Sequence, residues 1–151
     1  MKTEIRNKAE QAFKNHLTYL SSGRIPEWAD LFTENGMLEF PYAPKGFPQK
    51  VEGKSNLLEY MKNFPEHFKV EFKNLYFHPT ANANLVIAEF ESDGIAIATN
   101  NPYRQKYISV VTTDDIGKIE KYVDFWNPLT AMESLGIKVN EEVLSAQFLD
   151  N

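Results

Sequence analysis

The hydrophobic pattern of this chain changes its period near residue 67, and this change constrains the fold more than any other feature of the sequence. Before it, apolar residues recur every three to four positions, as on the buried face of an amphipathic helix. Ser55 is the expected N-cap of the last helix in this part, and Pro65 its expected end. The sequence thus predicts three N-terminal helices: residues 3–21, IPEWADLF and GKSNLLEYMKNFP.

After residue 67, apolar and polar residues alternate, which is the period of strands with one buried face. The segment FKVEFKNLYF changes phase halfway, and a β-bulge near Lys73–Asn74 explains the change. Ser92–Asp93–Gly94 is interpreted as a break between two short strands. The other predicted elements are the early strand ENGMLEF, the loop FPYAPKGFPQKVEG, the strands ANLVIAEFE, GIAIAT, YRQKYISVVTT and KIEKYVDFWN, and a short helix LTAMESLG before a polar tail.

Helices followed by a run of antiparallel strands indicate an α+β fold. At 151 residues, the chain has the length of one domain, so residues 1–151 are expected to form a single one. A strongly curved sheet would make half of a barrel, and the three N-terminal helices would close it over a central cavity. Eleven Phe, seven Tyr and two Trp suit a core that lines an apolar cavity, although packing alone also accounts for them.

Charge and composition exclude several classes of function. The net charge is −5 and the lysines and arginines are scattered, so nucleic-acid binding is not expected. The chain has no cysteine, which excludes thiol catalysis and thiolate metal sites. The N-terminus lacks the apolar core of a signal peptide, and no apolar run approaches the roughly 20 residues that span a bilayer. We therefore expect a cytoplasmic protein that does not bind membranes.

Asp124 is the first candidate for chemistry, because it lies within an otherwise core-like strand. The strand period places Glu120, Tyr122, Asp124 and Trp126 on one face, and the alternating residues from Ile119 to Phe125 on a more apolar face that looks packed. If the first face meets solvent, Asp124 is an ordinary exposed acid. If that face lines a cavity, desolvation favours the neutral acid and suits it to general acid–base chemistry. Tyr122 and Trp126 favour the cavity, because large aromatic side chains are usually buried. Both are candidate ligand contacts.

Metal and nucleotide sites have no support in the sequence. The three histidines, His16, His67 and His78, are far apart, and no HExxH motif occurs. His16 lies on the apolar stripe of the first helix, where a hydrogen-bonded core residue is expected, and the other two are expected at the surface. No GxSxG, GxGxxG or P-loop motif is present. We expect neither a metal nor a cofactor.

Several further polar residues are candidates for the cavity wall. Glu89 and Glu91 share a face of one strand, where they mark either a polar edge or, for Glu89, a side chain directed into the cavity. Tyr60, Tyr103 and Tyr107 each offer a phenol that could donate to the oxyanion of a ligand, or could equally be core residues.

Three stretches carry a resemblance to a known family: NFPEHFKVEFKNLYF, NLVIAEFESDG and GKIEKYVDFWNPLTAMESLGIKV. Together with the order of elements, they resemble the nuclear-transport-factor-2-like superfamily, which includes ketosteroid isomerases and SnoaL-type polyketide cyclases. Within it, they are most similar to the phenazine-biosynthesis A/B condensing proteins. The resemblance implies a cone-shaped barrel and a homodimer formed through the open sheet face.

The resemblance also implies site residues. An acid matching Asp124 acts in acid–base catalysis in the phenazine proteins, so Asp124 is the predicted catalytic group. A histidine and a serine that function in those proteins correspond here to Asn56 and Tyr60. An arginine expected near the second helix is absent, and Trp28 lies in that neighbourhood. Phenazine condensation itself is therefore not implied, and the polar lining of the pocket should differ.

Two functions follow as hypotheses. In the first, an enzyme binds a cyclic or polyketide-like carbonyl compound in an apolar cavity, and Asp124 moves a proton with Tyr60 or Tyr107 as oxyanion donor. In the second, the same cavity belongs to a non-catalytic module that binds a small apolar or aromatic ligand.

Overall fold

The computed structural model describes residues 1–137, so the polar tail predicted after the last helix lies outside the described residues. The helices are α1 (Lys2–Ser21), α2 (Ile25–Ala29), α3 (Lys54–Met61), α4 (Phe64–His67) and α5 (Pro128–Ser134). The strands are β1 (Phe32–Glu39), β2 (Lys50–Glu52), β3 (Phe68–Pro79), β4 (Leu85–Ala96), β5 (Asn101–Thr113) and β6 (Ile119–Trp126).

The helices follow the predicted apolar spacing but differ at their ends. α1 buries side chains at every third or fourth position from Ala9 to Leu20, as the pattern predicts. Ser55 is not the cap of α3: the helix begins at Lys54 after Gly53, whose φ of 91° turns the chain into it. Pro65 does not simply end that helix, because it lies in the first turn of the short helix α4.

The six strands form one open sheet in the order β2-β1-β6-β5-β4-β3, which confirms the α+β fold. Neighbouring strands are antiparallel except for β1 and β6, which run parallel. The predicted run of antiparallel strands is confirmed for β3 to β6, whereas the early strand β1 joins the sheet parallel to β6, a direction that the long connection between the two strands allows. α1 packs against β3 and β4, so the apolar face of the helix covers the inner side of the sheet.

The β3–β4 pair contains the predicted bulge but not the predicted break. The pairing shifts between Lys73 and Tyr76, and Asn74 has a φ of 58° there. Ser92–Asp93–Gly94 continues β4 without interruption. A Cβ on Gly94 would lie 1.9 Å from the backbone oxygen of Lys69, so this glycine allows two strands to approach closely.

A second bulge fixes which face of β6 is inside. Thr112 and Thr113 are adjacent on β5, yet they pair with Lys121 and Ile119, so Glu120 is an extra residue. Ile119 and Tyr122 are therefore both buried, whereas Glu120 is exposed. The predicted face that grouped Glu120 with Tyr122 is wrong at Glu120, because the bulge changes the phase of the strand.

Among residues 1–137, no helix is both long and apolar enough to cross a membrane.

Candidate functional site

The inner side of the sheet and the surrounding helices enclose an apolar cavity of about 350 Å³. Strand β1 and strands β3 to β6 contribute inward-facing side chains, α1 to α4 contribute the opposite wall, and α5 closes part of the mouth. Aromatic rings form more than half of the lining. The sequence did not decide whether the many aromatic residues only pack the core or also line a cavity. In the structure, many of them line the cavity.

Asp124 lies in this cavity on the inward face of β6. It pairs with Ser109 on β5, whose Oγ donates a hydrogen bond of 3.0 Å to the carboxylate Oδ1. Burial raises the pKa of Asp124 from 3.8 to about 7, and the Ser109 hydrogen bond opposes that rise. The residue keeps partial accessibility, as a group on a cavity wall must, although the surrounding protein desolvates its charge.

Three of the predicted tyrosines, Tyr60, Tyr103 and Tyr107, line the same cavity. Desolvation raises the pKa of Tyr60 to about 12, with a smaller contribution from the charge of Asp124, even though 39% of this residue is exposed. Burial also raises the pKa values of Tyr103 and Tyr107. All three phenols are therefore protonated at neutral pH and able to donate.

The Tyr107 ring and hydroxyl are both held in place. Its ring stacks on Phe90 with the centroids 4.5 Å apart and the planes 7° apart. Its hydroxyl lies 3.0 Å from Ser92 Oγ. Among residues 1–137, no hydrogen bond occupies the Tyr60 hydroxyl, which makes Tyr60 the phenol that is open to a ligand.

A buried cluster of hydrogen-bonded side chains lies at the cavity wall beside α1 and α2, and the sequence indicated only some of its members. Trp28 Nε1 donates to His16 Nδ1 at 2.8 Å, and His16 Nε2 lies 3.0 Å from the Tyr122 hydroxyl. That hydroxyl lies 2.7 Å from Ser109 Oγ. His16 is the hydrogen-bonded core residue that the sequence predicts, and burial lowers its pKa to about 3. Ser109 was missed, because a serine in an alternating strand carries no signal of its own.

The mouth of the cavity is aromatic and partly formed by the proline-rich loop. Trp126, a predicted ligand contact, lies with its ring centroid 6.0 Å from that of Phe40. Phe47 of the loop and His67 of α4 also line the cavity. The sequence did not indicate these two residues, because loop contacts of this kind depend on tertiary structure.

Two predicted site residues lie outside the cavity. Asn56 is exposed on α3 and donates to the backbone oxygen of Glu52 at 2.9 Å, because the phase of the helix turns Leu57 and Met61 inward instead. Glu89 is not directed into the cavity: it lies on the outer face of the sheet, where it contacts His78.

Among residues 1–137, the cavity lining has no lysine or arginine, so Asp124 has no cationic partner in the described part of the wall. No group of three or more His, Cys, Asp or Glu residues that could hold a metal ion occurs in the part of the chain that the structure describes. The arrangement is therefore one acid of near-neutral pKa facing phenols in an apolar chamber. It can exchange a proton with a bound neutral molecule and donate hydrogen bonds to it.

Fold and cavity together are those of the nuclear-transport-factor-2-like class. More narrowly, the model of the SnoaL-like domain matches residues 13–122, and the chain belongs to this family. An uncharacterized PhzA/B-like protein of Pseudomonas aeruginosa is 43% identical over 128 residues, which cover 85% of this chain and 90% of that protein. The predicted likeness to the phenazine proteins is confirmed.

Two solved structures show how closely the fold is shared. A Bacillus subtilis protein provisionally named an isomerase is 40% identical, with a TM-score of 0.84 over 87% of this chain and 95% of its own. A phenazine biosynthesis-related protein of Pseudomonas aeruginosa has a TM-score of 0.77 over 92% of each chain. At 21% identity, this second likeness shows the fold alone.

Proposed function

We propose that this protein is an acid–base enzyme for a neutral, cyclic or polyketide-like carbonyl compound, with Asp124 as the group that moves the proton. The observation that carries the proposal is the position of Asp124 in an apolar cavity with no cationic partner among the described lining residues, where burial raises its pKa to about 7. The reaction class is isomerisation, cyclisation or condensation through an enol or enolate. The isomerase name of the Bacillus subtilis relative agrees with this class.

The pKa supports transfer in both directions. A pKa raised toward neutrality makes both the acid and the base form of Asp124 accessible near neutral pH, which suits one group to take and return a proton. As a base, its carboxylate takes a proton from the carbon next to the carbonyl. The electrons of that C–H bond then form the enolate. Asp124, whose acid proton exchanges with solvent, returns a proton to this or to another carbon.

Tyr60 is the proposed donor to the enolate oxygen. Its hydroxyl has no hydrogen-bond partner among residues 1–137, and its pKa of about 12 keeps the proton on the phenol at neutral pH. Tyr107 is the less favourable candidate, because its hydroxyl is already paired with Ser92. A preorganised donor at the developing charge stabilises the transition state more than the ground state.

The lining also indicates the charge of the substrate. A ligand carboxylate would meet the Asp124 carboxylate, and the lining residues that the structure describes include no lysine or arginine to compensate. The cavity volume of about 350 Å³ is at the lower end of the usual range of about 300–1,000 Å³ for small-molecule sites. A compact uncharged ring compound fits both constraints.

The test is proton exchange in a neutral cyclic ketone. With 2-tetralone in D₂O, wild type should accelerate deuterium incorporation next to the carbonyl, and the rate should rise with pH and level off above about pH 7, as Asp124 loses its proton. Asp124→Asn should abolish the acceleration. Glu120→Gln, which removes an exposed carboxylate on the same strand, is the matched control and should retain it.

Ligand binding is measured in the same samples. Trp28 and Trp126 both line the cavity, so a bound ketone should change the tryptophan fluorescence. If the ketone binds and wild type does not accelerate exchange, the catalytic proposal is wrong and the protein is the non-catalytic binding module.

We also propose that two copies pair through the outer face of the sheet. Tyr76 and Ile108 are 62% and 39% exposed there, beside the polar residues Glu89 and Lys106 of the same hollow. Ile108→Asp should convert a dimer to a monomer in sedimentation equilibrium, and Ile116→Asp, at an exposed turn, is the control. A monomeric wild type would refute the proposal.

A further inference from the structure

Five side chains from four elements form a continuous line of hydrogen bonds that ends at the pocket acid. The line runs from Trp28 on α2 through His16 on α1 and Tyr122 on β6 to Ser109 on β5, and then to Asp124. Its successive distances are 2.8, 3.0, 2.7 and 3.0 Å. Each link has ordinary hydrogen-bond length. The direction of each donor therefore decides whether the line donates a hydrogen bond to Asp124 or accepts one from it.

The first link sets the direction. The indole N–H of Trp28 can only donate, so His16 Nδ1 must accept and carry no hydrogen. The imidazole is then neutral with its hydrogen on Nε2, and it donates to the Tyr122 oxygen. A protonated imidazole would direct an N–H against the indole N–H, which agrees with the lowered pKa of His16.

The remaining links follow in one order. With its oxygen accepting from His16, the Tyr122 hydroxyl hydrogen has one other partner among residues 1–137, which is Ser109 Oγ. Ser109 in turn has one acceptor left for its own hydrogen, which is Asp124 Oδ1. Reversing either link would leave a buried hydroxyl hydrogen without an acceptor among the described residues, which is unfavourable.

We propose that Trp28 fixes the donor direction of every link, so that the Ser109 hydroxyl always donates its hydrogen bond to Oδ1 of Asp124. This leaves Oδ2 as the oxygen that exchanges a proton with the ligand. Ser109, Tyr122 and His16 are then positioning residues that act through Asp124 and do not touch the ligand's reacting atoms. The inference rests on the proposed function for the role of Asp124, but the direction of the chain does not.

The surroundings make the chain measurable by NMR. The titratable groups that face Asp124 are phenols from α3, β5 and β6, whose raised pKa values keep them neutral. His16 is neutral above about pH 3. His67 is exposed at the mouth, and its ring signals are followed separately.

The first measurement needs no variant. Two-bond ¹⁵N–¹H spectra of the wild-type imidazoles report the tautomer of each histidine between pH 5 and 9. We expect His16 to have its hydrogen on Nε2 throughout this range. A hydrogen on Nδ1, or a doubly protonated ring at pH 6, would overturn the proposed direction.

The second measurement follows the Asp124 carboxyl carbon. Loss of the Ser109 hydroxyl in Ser109→Ala should raise the pKa of Asp124 from about 7 by about one pH unit, because the hydrogen bond stabilises the charged carboxylate more than the neutral acid. Tyr122→Phe should raise the pKa as well, because Ser109 is then free to accept from the protonated acid. Ser92→Ala is the matched control: it removes a buried serine that bonds a different tyrosine, and it should leave the pKa unchanged.

Equal pKa values in wild type, Ser109→Ala and Ser92→Ala would overturn the proposal, and the line would then be a structural feature of the core only. If Ser109→Ala does not fold, the His16 tautomer and Tyr122→Phe still decide the matter. Failure of ketone exchange alone would refute the proposed function and not the chain, because neither NMR measurement uses a substrate.

Discussion

Replacing Asp124 by asparagine should stabilise the folded protein at alkaline pH and have little effect in acid. Asparagine keeps an oxygen that can accept from Ser109, but it cannot ionise. The folded chain would therefore lose a buried charge without losing the hydrogen bond. A residue proposed to act in catalysis is expected to cost stability in this way.

The size and the sign of this change in the free energy of unfolding follow from the pKa of Asp124. Because the value of about 7 lies above the ordinary 3.8, the folded chain holds this proton more tightly than the unfolded chain does. The free energy of unfolding therefore falls as pH rises from 3.8 to 7, and the full cost is present above pH 7. At about 1.36 kcal/mol for each pH unit, this interval corresponds to about 4 kcal/mol. Water that reaches Asp124 through the cavity makes this an upper value.

The assay is urea unfolding of wild type and Asp124→Asn at pH 4, 6 and 8. We expect nearly equal free energies of unfolding at pH 4 and a growing advantage of the variant, up to about 4 kcal/mol, at pH 8. Taking the difference between the two proteins removes the contributions of all other titrating groups. Glu120→Gln should show no such trend, because that carboxylate is exposed.

A variant that differs from wild type by the same amount at all three pH values would refute the reasoning. It would mean that Asp124 ionises with an ordinary pKa, and the cavity would then not desolvate it. A variant destabilised only at high pH would mean that a cation pairs with the carboxylate. That result would contradict a lining without lysine or arginine.

Three further predictions test other parts of the structure. Gly94→Ala should lower the melting temperature severely or prevent folding, since its Cβ would lie 1.9 Å from a β3 backbone oxygen, whereas Gly46→Ala, with nothing within 4 Å, should cost only about 1 kcal/mol for its positive φ. Thr113→Val should be neutral or stabilising in thermal unfolding, because the buried Thr113 hydroxyl has no hydrogen-bond partner among the described residues. Tyr60→Phe should slow ketone exchange about 10²-fold with little change in stability, and an unchanged rate would exclude this phenol as the oxyanion donor.

Features that depend on neighbouring residues in the chain were predictable from the sequence. The stripe of α1 and the bulge near Lys73–Asn74 are each recorded in a few adjacent side chains, and the structure has both. Gly94 was misinterpreted as a break, because the sequence shows the missing side chain but not the strand that comes close to it. The bulge at Glu120 was missed, since a single extra residue changes the face without changing the composition.

Features that depend on distant residues could not be found in this way. The His16–Tyr122 bond joins residues 106 positions apart, and nothing local in either segment indicates the other. The parallel pairing of β1 with β6 is a similar case, because alternation predicts two strands without giving their direction. Asn56 was assigned by alignment to a family position, whereas the phase of α3 directs its side chain to solvent.

Asp124 itself was ambiguous from sequence, because alternation separates two faces of a strand without telling which one is inside. The structure settles its position and also explains its proton affinity. Oδ1 has one donor, Ser109, and among the described residues Oδ2 has none. Burial raises the pKa of this carboxyl group, and the single hydrogen bond from Ser109 does not offset that rise. Oδ2 is thus the oxygen without a donor, and a ligand C–H or O–H placed beside it would supply the partner that the described residues do not.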